Sequence, residues 1–351
     1  MIEMKKKYIH IYQCKLGDIL AEDVYDDYGI FIASKGAVIN EHAIKRLKTL
    51  RIRQLSVYEL QNVENTEKGG LSLDEFKKEY RKDLNVMKQV LGDLAAGRKL
   101  DYEKVESVSN SIYSKINSIS NIVECMNEVK NMDEYTYTHS INVSVYALLI
   151  AKWLDMSEVD TRNIVTTGIL HDIGKSKISG NILNKKGPLL PEEYEQIKHH
   201  ADIGYHLSKN IPQLTDEIRE GILMHHERED GKGYPAGIKG DNINRYAKII
   251  SVADVYDALT SERVYKKRIT PFDTFSELLK IGYGYFDTKI LMTFLSNIYC
   301  YYIGTNVKMN NGEMGKVIFV APQSISMPTV SVNGKYIDLS QNRQLQIVEM
   351  M

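Results

Sequence analysis

The sequence predicts a mainly α-helical protein with short β-rich segments at its two ends. Apolar residues recur at helical spacing through most of residues 76–300. Residues 1–65 instead contain short β-like runs between turn signals, and residues 303–351 contain two Asn-Gly pairs between strand-like runs. We therefore expect a small α+β N-terminal module at 1–65, a helical linker at 66–130, a helical-bundle domain at 131–302 and a β-hairpin appendage at 303–351.

The N-terminal module is expected to combine short strands with one helix. Turn signals at residues 27–29 and 35–36 divide its first half into β-like runs. Residues 41–52 then place Ile44, Leu47 and Leu50 at helical spacing, and residues 53–60 resemble a returning strand. The module contains no catalytic cluster, so a regulatory role is the one we consider for it.

The linker carries two apolar stripes, each of which predicts a long helix. The first stripe consists of Phe76, Tyr80, Leu84, Met87, Leu91 and Leu94, and the second of Val105, Val108, Ile112, Ile119, Val123 and Met126. Steps of three, four and seven residues are compatible with a coiled coil. Two interpretations stay open: a homodimer through the linker, or helices that pack against their own domain.

Composition favours a soluble cytoplasmic protein. The net charge is −1, from 45 basic and 46 acidic residues, so no overall basic field attracts a nucleic acid polymer or a membrane. The three cysteines, Cys14, Cys125 and Cys300, are widely separated, which suits a reducing compartment. The N-terminus lacks the apolar core of a signal peptide, and no apolar run is long enough to cross a bilayer.

Histidines are concentrated in one part of the chain. Seven of the nine histidines lie between positions 139 and 226, and one of them, His171, is directly followed by an aspartate. The seven are His139, His171, His199, His200, His206, His225 and His226. A single histidine is usually structural, but a cluster that includes carboxylates indicates a metal site.

The strongest local pattern is "HDIGK", at the end of an apolar segment. His171 offers an imidazole, Asp172 offers a carboxylate that can bridge two cations, and Lys175 adds a positive charge for an anionic substrate. Asp254 lies in the apolar stretch "IISVADVYDAL", where a carboxylate is costly to bury unless it meets a cation. Asp257 lies one helical turn further on, where it could support a ligand.

The remaining candidates are two histidine pairs. In the pair at 199–200 either histidine could be a ligand, because neighbours on a helix point about 100° apart. In "HHEREDGKGYPAG", His225 and His226 stand at a predicted helix end before a glycine-rich loop, so both could reach one ion. His206 has no acidic neighbour, and we expect it to serve packing or to lie on the surface.

These residues predict a binuclear metal centre. The candidate ligands are His139, His171, Asp172, His200, His225, His226 and Asp254. Nitrogen and oxygen ligands without cysteine favour Fe or Mn, with Zn, Ni or Mg as further candidates. Seven ligands exceed one tetrahedral site but fit two divalent ions that share Asp172, an arrangement that suits phosphoryl transfer.

The motifs resemble those of a known family. The order of His139, the His171–Asp172 pair and Asp254 resembles the HD superfamily of metal-dependent phosphohydrolases. "HDIGK" followed by "HHEREDGKGYP" resembles the HD-GYP family of cyclic di-GMP phosphodiesterases, and so do the flanking "YTYTHSINV" and "SVADVYDALTSERVYKKRIT". The resemblance covers residues 131 to about 300.

This resemblance implies an HD-type helical bundle that hydrolyses cyclic di-GMP to pGpG, with GMP as a candidate further product, in bacterial signalling. It implies Asp172 and Lys175 as catalytic residues, and Lys175, Gly233, Tyr234, Arg263 and Lys266 as substrate-binding residues. One expected ion takes His139, His171, Asp172 and Asp254, and the other takes Asp172, His200, His225 and His226. Alternative functions are a receptor that binds a cyclic dinucleotide without hydrolysis and a phosphohydrolase of another nucleotide.

One departure from the family pattern concerns the number of ions. Some members bind a third ion through a glutamate four residues before the first histidine. Tyr135 occupies that position here, and Glu134 lies one place earlier. A phenol, with an ordinary pKa of about 10, is a poor ligand at neutral pH, so we expect two ions.

Overall fold

The computed structural model describes residues 6–11, 14, 17–26, 29–50, 52, 54–58, 73–115, 126, 135–185, 187–261 and 269–351. Helices dominate the middle of the chain, and strands occur near both ends. The predicted fold class, mainly α with short β segments at the two ends, is confirmed.

The N-terminal module has its own small core. Strand β1 (Lys6–His10) pairs antiparallel with β4 (Gln54–Tyr58), and β2 (Val24–Tyr25) pairs with β3 (Phe31–Ala33). Helix α1 (Glu41–Thr49) lies between β3 and β4 in sequence, and the Asn40 side chain caps its N-terminus. The core consists of Ile11, Leu20, Val24, Ile39, Leu47, Ile52, Leu55 and Val57.

Two long helices follow, α2 (Leu73–Ala95) and α3 (Tyr102–Lys115). Their apolar stripes are buried against helices of the same chain, in one continuous core with the helical domain. This arrangement favours the second of the two interpretations, helices packed on their own domain. Of the predicted linker stripe, Ile119 and Val123 lie outside the described residues.

The helical domain begins with α4 (Tyr135–Trp153) and α5 (Glu158–Leu170), and a 3₁₀ turn follows at Ile173–Lys177. Four shorter helices lead to its long inner helix: α6 (Gly180–Leu183), α7 (Pro191–Lys198), α8 (His200–Lys209) and α9 (Asp216–Met224). The inner helix is α10 (Arg245–Thr260), and α11 (Pro271–Tyr285) and α12 (Thr288–Ile298) complete the domain.

Helix α4 differs from the expectation of one buried face. Every described residue from Thr138 to Ala151 is buried, including Ser140 and Ser144. The helix therefore lies in the centre of the domain and contacts neighbours all round. The periodicity of the large apolar residues alone did not reveal this, because small polar residues occupy the other faces.

The C-terminal appendage is one antiparallel sheet with the strand order β8-β7-β6-β5-β9. Its strands are β5 (Asn306–Met309), β6 (Met314–Phe319), β7 (Thr329–Val332), β8 (Lys335–Asp338) and β9 (Ile347–Met350). Both predicted hairpins are present, and Asn333 and Gly334 have the positive φ angles that a tight two-residue turn needs. The pairing of β6 with β7, and the strand β9, were not predicted.

The division of the chain into four parts stays a prediction.

Among the helices in the described part of the chain, none has the length and apolar character of a membrane span.

Candidate metal centre

Three of the candidate histidines lie just beyond helix ends. Helices α5, α7 and α9 end at Leu170, Lys198 and Met224, and the histidines at 171, 200 and 225 follow within two residues. In each case Nδ1 lies 2.7 Å from the carbonyl oxygen three residues earlier, on Gly168, Ile197 or Ile222. Carbonyls of a last helical turn lack partners within the helix, so they accept the Nδ1–H and leave Nε2 as the free lone pair.

His139 is oriented by a carboxylate instead. It lies in the second turn of α4, and its Nδ1 is 2.8 Å from Asp257 Oδ2 on α10. Asp257 is fully buried and also accepts hydrogen bonds from Asn142 Nδ2, at 2.9 Å, and Ser261 Oγ, at 3.0 Å. A carboxylate behind an imidazole fixes its tautomer, so the His139 Nε2 is directed at Asp254 Oδ1, 3.1 Å away.

Asp172 stands between two groups of side chains. Its Oδ1 lies 3.2 Å from His200 Nε2 and 3.9 Å from His225 Nε2. Its Oδ2 lies 3.4 Å from His171 Nε2 and 3.7 Å from His139 Nε2. The two oxygens of one carboxylate therefore face two different sets of nitrogen atoms, which is the geometry of a bridging ligand.

All seven predicted metal ligands come together. One group consists of Asp172, His200, His225 and His226, and the other of His139, His171 and Asp254; within each group the ligand atoms lie within 4.8 Å of one another. His171 Nε2 and Asp172 Oδ1 are buried and have no hydrogen-bond partner within the described residues. Unpaired buried polar atoms are costly, so this donor set fits bound cations.

Two of the seven histidines between positions 139 and 226 lie outside the cluster. His199 and His206 are exposed and line a groove with a volume of about 610 Å³ on the outer side of α8. Between the neighbours at 199 and 200, only His200 points inward, and it is fully buried.

The electrostatics of the cluster keep most ligands in a metal-binding form. Burial lowers the pKa of His226 to about 3 and that of His225 well below its ordinary value, so both imidazoles are neutral. Burial alone would raise the pKa of Asp172, but Lys175 and His171 hold it well below its ordinary range. Ligands that are already deprotonated bind a cation without first releasing a proton.

His139 is the exception. Burial lowers its pKa, but hydrogen bonds to Asp254 and Asp257 outweigh burial and raise the pKa to about 9. In the metal-free protein this imidazole therefore carries a proton between carboxylates, and a cation that binds Nε2 replaces that proton.

The glycine-rich loop folds back onto the histidine pair. A Cβ atom at Gly233 would lie 2.5 Å from both Glu227 Cα and His226 O, so only glycine fits this approach. The Tyr234 ring stacks at 4.6 Å from the His226 ring, at an angle of 31°. The loop therefore places a half-buried aromatic ring and its hydroxyl beside the candidate metal ligands.

Glu227 holds this loop, and the sequence analysis did not identify it. The side chain is 3% exposed, and its Oε1 accepts hydrogen bonds from the backbone N–H groups of Ala236, at 2.7 Å, and Gly237, at 3.0 Å. One sequence feature could have identified Glu227: it is a glutamate that follows a histidine pair and precedes a glycine-rich loop. The backbone N–H groups of such a loop have no partners in a strand or helix, so they need a side-chain acceptor.

Of the other predicted substrate-binding residues, only Lys175 belongs to the described part of the chain. Lys175 is in the 3₁₀ turn after Asp172, and its Nζ forms an ion pair with Asp172 Oδ2. This close turn requires Gly174, where a Cβ would clash with the carbonyl oxygen of His200. Arg263 and Lys266 lie outside the described residues, so their role stays a prediction.

Comparison with known proteins connects this geometry to named families. Residues 117–290 match the family described as HD domain. A protein named cyclic di-GMP phosphodiesterase PA4108, from Pseudomonas aeruginosa, is 32% identical over 228 residues, which cover 65% of this chain and 54% of that protein. A protein named 3'3'-cGAMP-specific phosphodiesterase 3, from Vibrio cholerae, is 40% identical over 138 residues, which cover 38% of this chain and 28% of that protein.

Among solved structures, the fold is similar to that of Bd1817, a HDG"Y"P protein from Bdellovibrio bacteriovorus. The TM-score is 0.52 at 16% identity, over 83% of this chain and 98% of that chain. This likeness concerns the fold alone. The chain spans about half of the length of the curated cyclic di-GMP phosphodiesterases that it matches.

Proposed function

Because the chain belongs to the HD domain family, with motifs of the HD-GYP type, we propose that it is a metal-dependent phosphodiesterase that hydrolyses cyclic di-GMP to pGpG. The observation that carries this proposal is the position of Asp172, whose two oxygens face separate groups of imidazole nitrogens. A further hydrolysis of pGpG to GMP is part of the proposal as a slower second reaction.

Two divalent ions would share the cluster. The first would be held by His139, His171, Asp172 and Asp254, and the second by Asp172, His200, His225 and His226. Imidazole and carboxylate ligands without a thiolate suit Fe or Mn, and also accept Zn, Ni or Mg. When bound, such a pair of ions lowers the pKa of water and neutralises the attacking and leaving oxygens of a phosphodiester.

The charges of the site suit a dianionic substrate. Two divalent ions would bring four positive charges to a cluster that contains three carboxylates, Asp172, Asp254 and Asp257. Lys175 adds one positive charge at its rim, where its side chain is 29% exposed. The surplus is positive and can attract the two phosphodiester groups of cyclic di-GMP.

The residues around the cluster have separate proposed roles. Lys175 would contact phosphate and could donate a proton to the leaving 3′ oxygen. Gly233 lets Tyr234 approach the ligands, and the tyrosine ring or hydroxyl contacts the nucleotide. Arg263 and Lys266 hold phosphate oxygens through charge-assisted hydrogen bonds.

A second candidate substrate is a mixed cyclic dinucleotide, because three relatives from Vibrio cholerae are named 3'3'-cGAMP-specific phosphodiesterases. A receptor that binds cyclic di-GMP without cleaving it is less favoured, since the donor set for two ions is complete. The two substrates are distinguished by a panel in which the Mn²⁺-loaded full chain is given cyclic di-GMP or 3'3'-cGAMP at equal concentration. We expect a higher kcat/KM for cyclic di-GMP, and the reverse order would assign the chain to the second substrate.

A further inference from the structure

A hydrogen-bond chain connects α2 to the metal cluster. Tyr80 is in α2 and is 2% exposed, and its hydroxyl lies 2.8 Å from Asn142 Oδ1 on α4. The amide of Asn142 continues to Asp257 Oδ1, at 2.9 Å, and Asp257 Oδ2 continues to His139 Nδ1, at 2.8 Å. Tyr80 precedes residues 117–290, the part of the chain that matches the HD domain.

The direction of each hydrogen bond in this chain is fixed by chemistry. An ionised carboxylate only accepts, so Asn142 must present its NH₂ group to Asp257. The amide oxygen of Asn142 then faces Tyr80, and the phenol must be the donor. A reversed amide would place its oxygen against the Asp257 carboxylate, which is repulsive.

We propose that Tyr80 is a positioning residue for the metal centre, because its hydroxyl holds the Asn142 side chain in place and, through Asn142 and Asp257, supports the His139 imidazole. The proposal rests on the proposed function only in requiring that His139 binds a metal ion. According to this proposal, α2 supports the metal centre although it precedes residues 117–290, which match the HD domain family.

A second contact joins α2 to the opposite flank of the cluster. Lys177, at the end of the 3₁₀ turn that carries Lys175, donates from Nζ to the carbonyl oxygen of Leu94 in the last turn of α2. Helix α2 is therefore attached both to the helix of His139 and to the turn after Asp172. A displacement of α2 would act on the two groups of ligands together.

The test removes one oxygen atom and keeps the ring. The Tyr80→Phe variant preserves the packing of the ring on Phe76, at 5.9 Å between ring centres, but leaves Asn142 without its donor. The matched control is Tyr302→Phe, which also removes a buried hydroxyl hydrogen bond, the one to Tyr256, from the same core. Metal-free full-length chains are titrated with Mn²⁺, and their thermal unfolding midpoints are recorded alongside.

We expect Tyr80→Phe to weaken one of two Mn²⁺ sites by about 10-fold, the lower end for loss of a supporting residue. The other site and the control variant should keep the wild-type affinity. In an Asn142→Leu background, Tyr80→Phe should have no further effect on affinity, since the connection is already broken.

Equal Mn²⁺ affinities for Tyr80→Phe and Tyr302→Phe would overturn the proposal. An undiminished effect of Tyr80→Phe in the Asn142→Leu background would overturn it as well, since the hydroxyl would then act by another route. Both results are independent of whether the chain hydrolyses cyclic di-GMP, so a failure here is distinct from a failure of the proposed enzymatic function.

Discussion

At the scale of single residues, Asp172 joins the two groups of ligands, and its replacement should affect both. The Asp172→Ala variant removes the only carboxylate whose two oxygens face both sets of nitrogens within the described residues. We expect no measurable turnover with Mn²⁺ supplied, and fewer bound ions per chain. The control is Asp241→Ala, at an exposed aspartate outside the cluster, which should retain wild-type activity. Most of the activity surviving in Asp172→Ala would refute a shared ligand.

Arg263 and Lys266 are predicted to act on the substrate and not on the ions. Each replacement by Ala removes a charge-assisted contact worth about 1.5–3 kcal/mol, so kcat/KM should fall about tenfold or more. Metal content should be unchanged, and its measurement separates this role from that of a ligand. If both variants kept the wild-type kcat/KM, the phosphates would have to bind elsewhere.

The grouping of the candidate ligands could be predicted from the sequence, because charged and imidazole side chains are rare in apolar surroundings. Asp254 lies in an apolar stretch, where a buried carboxylate needs a partner, and five of the seven histidines between positions 139 and 226 lie in the cluster. The supports behind them were less accessible. The backbone carbonyls of Gly168, Ile197 and Ile222 accept hydrogen bonds whatever the side chain at those positions, so the sequence does not identify them as supports. The contact between Glu227 and the loop exists only in the folded chain, so the sequence alone does not distinguish Glu227 from a surface glutamate.

At the scale of elements, α2 and α3 are joined by a buried ion pair. Lys115 Nζ contacts Asp83 Oδ2, Ser111 Oγ donates to the same oxygen at 3.0 Å, and both charged side chains are less than 10% exposed. Burial raises the pKa of Asp83, and Lys115 offsets part of that rise. Asp83 lies about one helical turn after Tyr80 in α2, so the ion pair attaches the helix of Tyr80 to α3.

Replacing Lys115 with Met should destabilise the fold, because it leaves the Asp83 carboxylate buried without its cation. We expect the free energy of unfolding to fall by about 3–5 kcal/mol at pH 8. The folded-state pKa of Asp83 then lies further above its unfolded value, so stability is lost as pH rises through the folded pKa and is regained at lower pH. The deficit should accordingly be smaller at pH 5, as measured by urea titration of variant and wild type at both values.

Two further variants control this experiment. Lys104→Met removes a partly exposed lysine of α3 whose carboxylate partners are at 3.7 and 3.9 Å, and it should cost less than about 1 kcal/mol. The double variant Asp83→Leu with Lys115→Met should recover most of the loss, because it buries no unpaired charge. A Lys115→Met deficit that grows toward pH 5 would contradict the assignment to Asp83.

Helices, strands and turns could be predicted from the sequence where the local pattern of residues was strong. The stripes of α2 and α3 and the turn at Asn333–Gly334 predicted their structures directly. Strand β9 was missed because it pairs with β5, about forty positions earlier in the chain, and no turn signal announces such a pairing. The burial of α4 on all sides was missed for a similar reason, since it depends on neighbours that are distant in sequence.

At the scale of the whole molecule, the sequence leads to a prediction of how many metal ions each chain binds. We expect two per chain, because Tyr135 holds the place of the extra carboxylate that a third ion would need, at the first residue of α4. Metal analysis of protein purified without oxygen should give two Fe or Mn per chain, and cleavage of pGpG should be slower than that of cyclic di-GMP. Glu134 lies outside the described residues. A crystal of the metal-loaded chain with three ordered ions, and Glu134 as a ligand, would contradict this count.

The central claim is that this cluster makes the chain a phosphodiesterase, and its most direct test is one turnover measurement. Metal-free full-length protein is given cyclic di-GMP before and after addition of Mn²⁺ or Fe²⁺, and pGpG is quantified over time. The account predicts no product without metal, and turnover that rises with added ion until about two ions per chain are bound. Tight binding of cyclic di-GMP by the metal-loaded chain, without any pGpG, would contradict it and would identify a receptor instead.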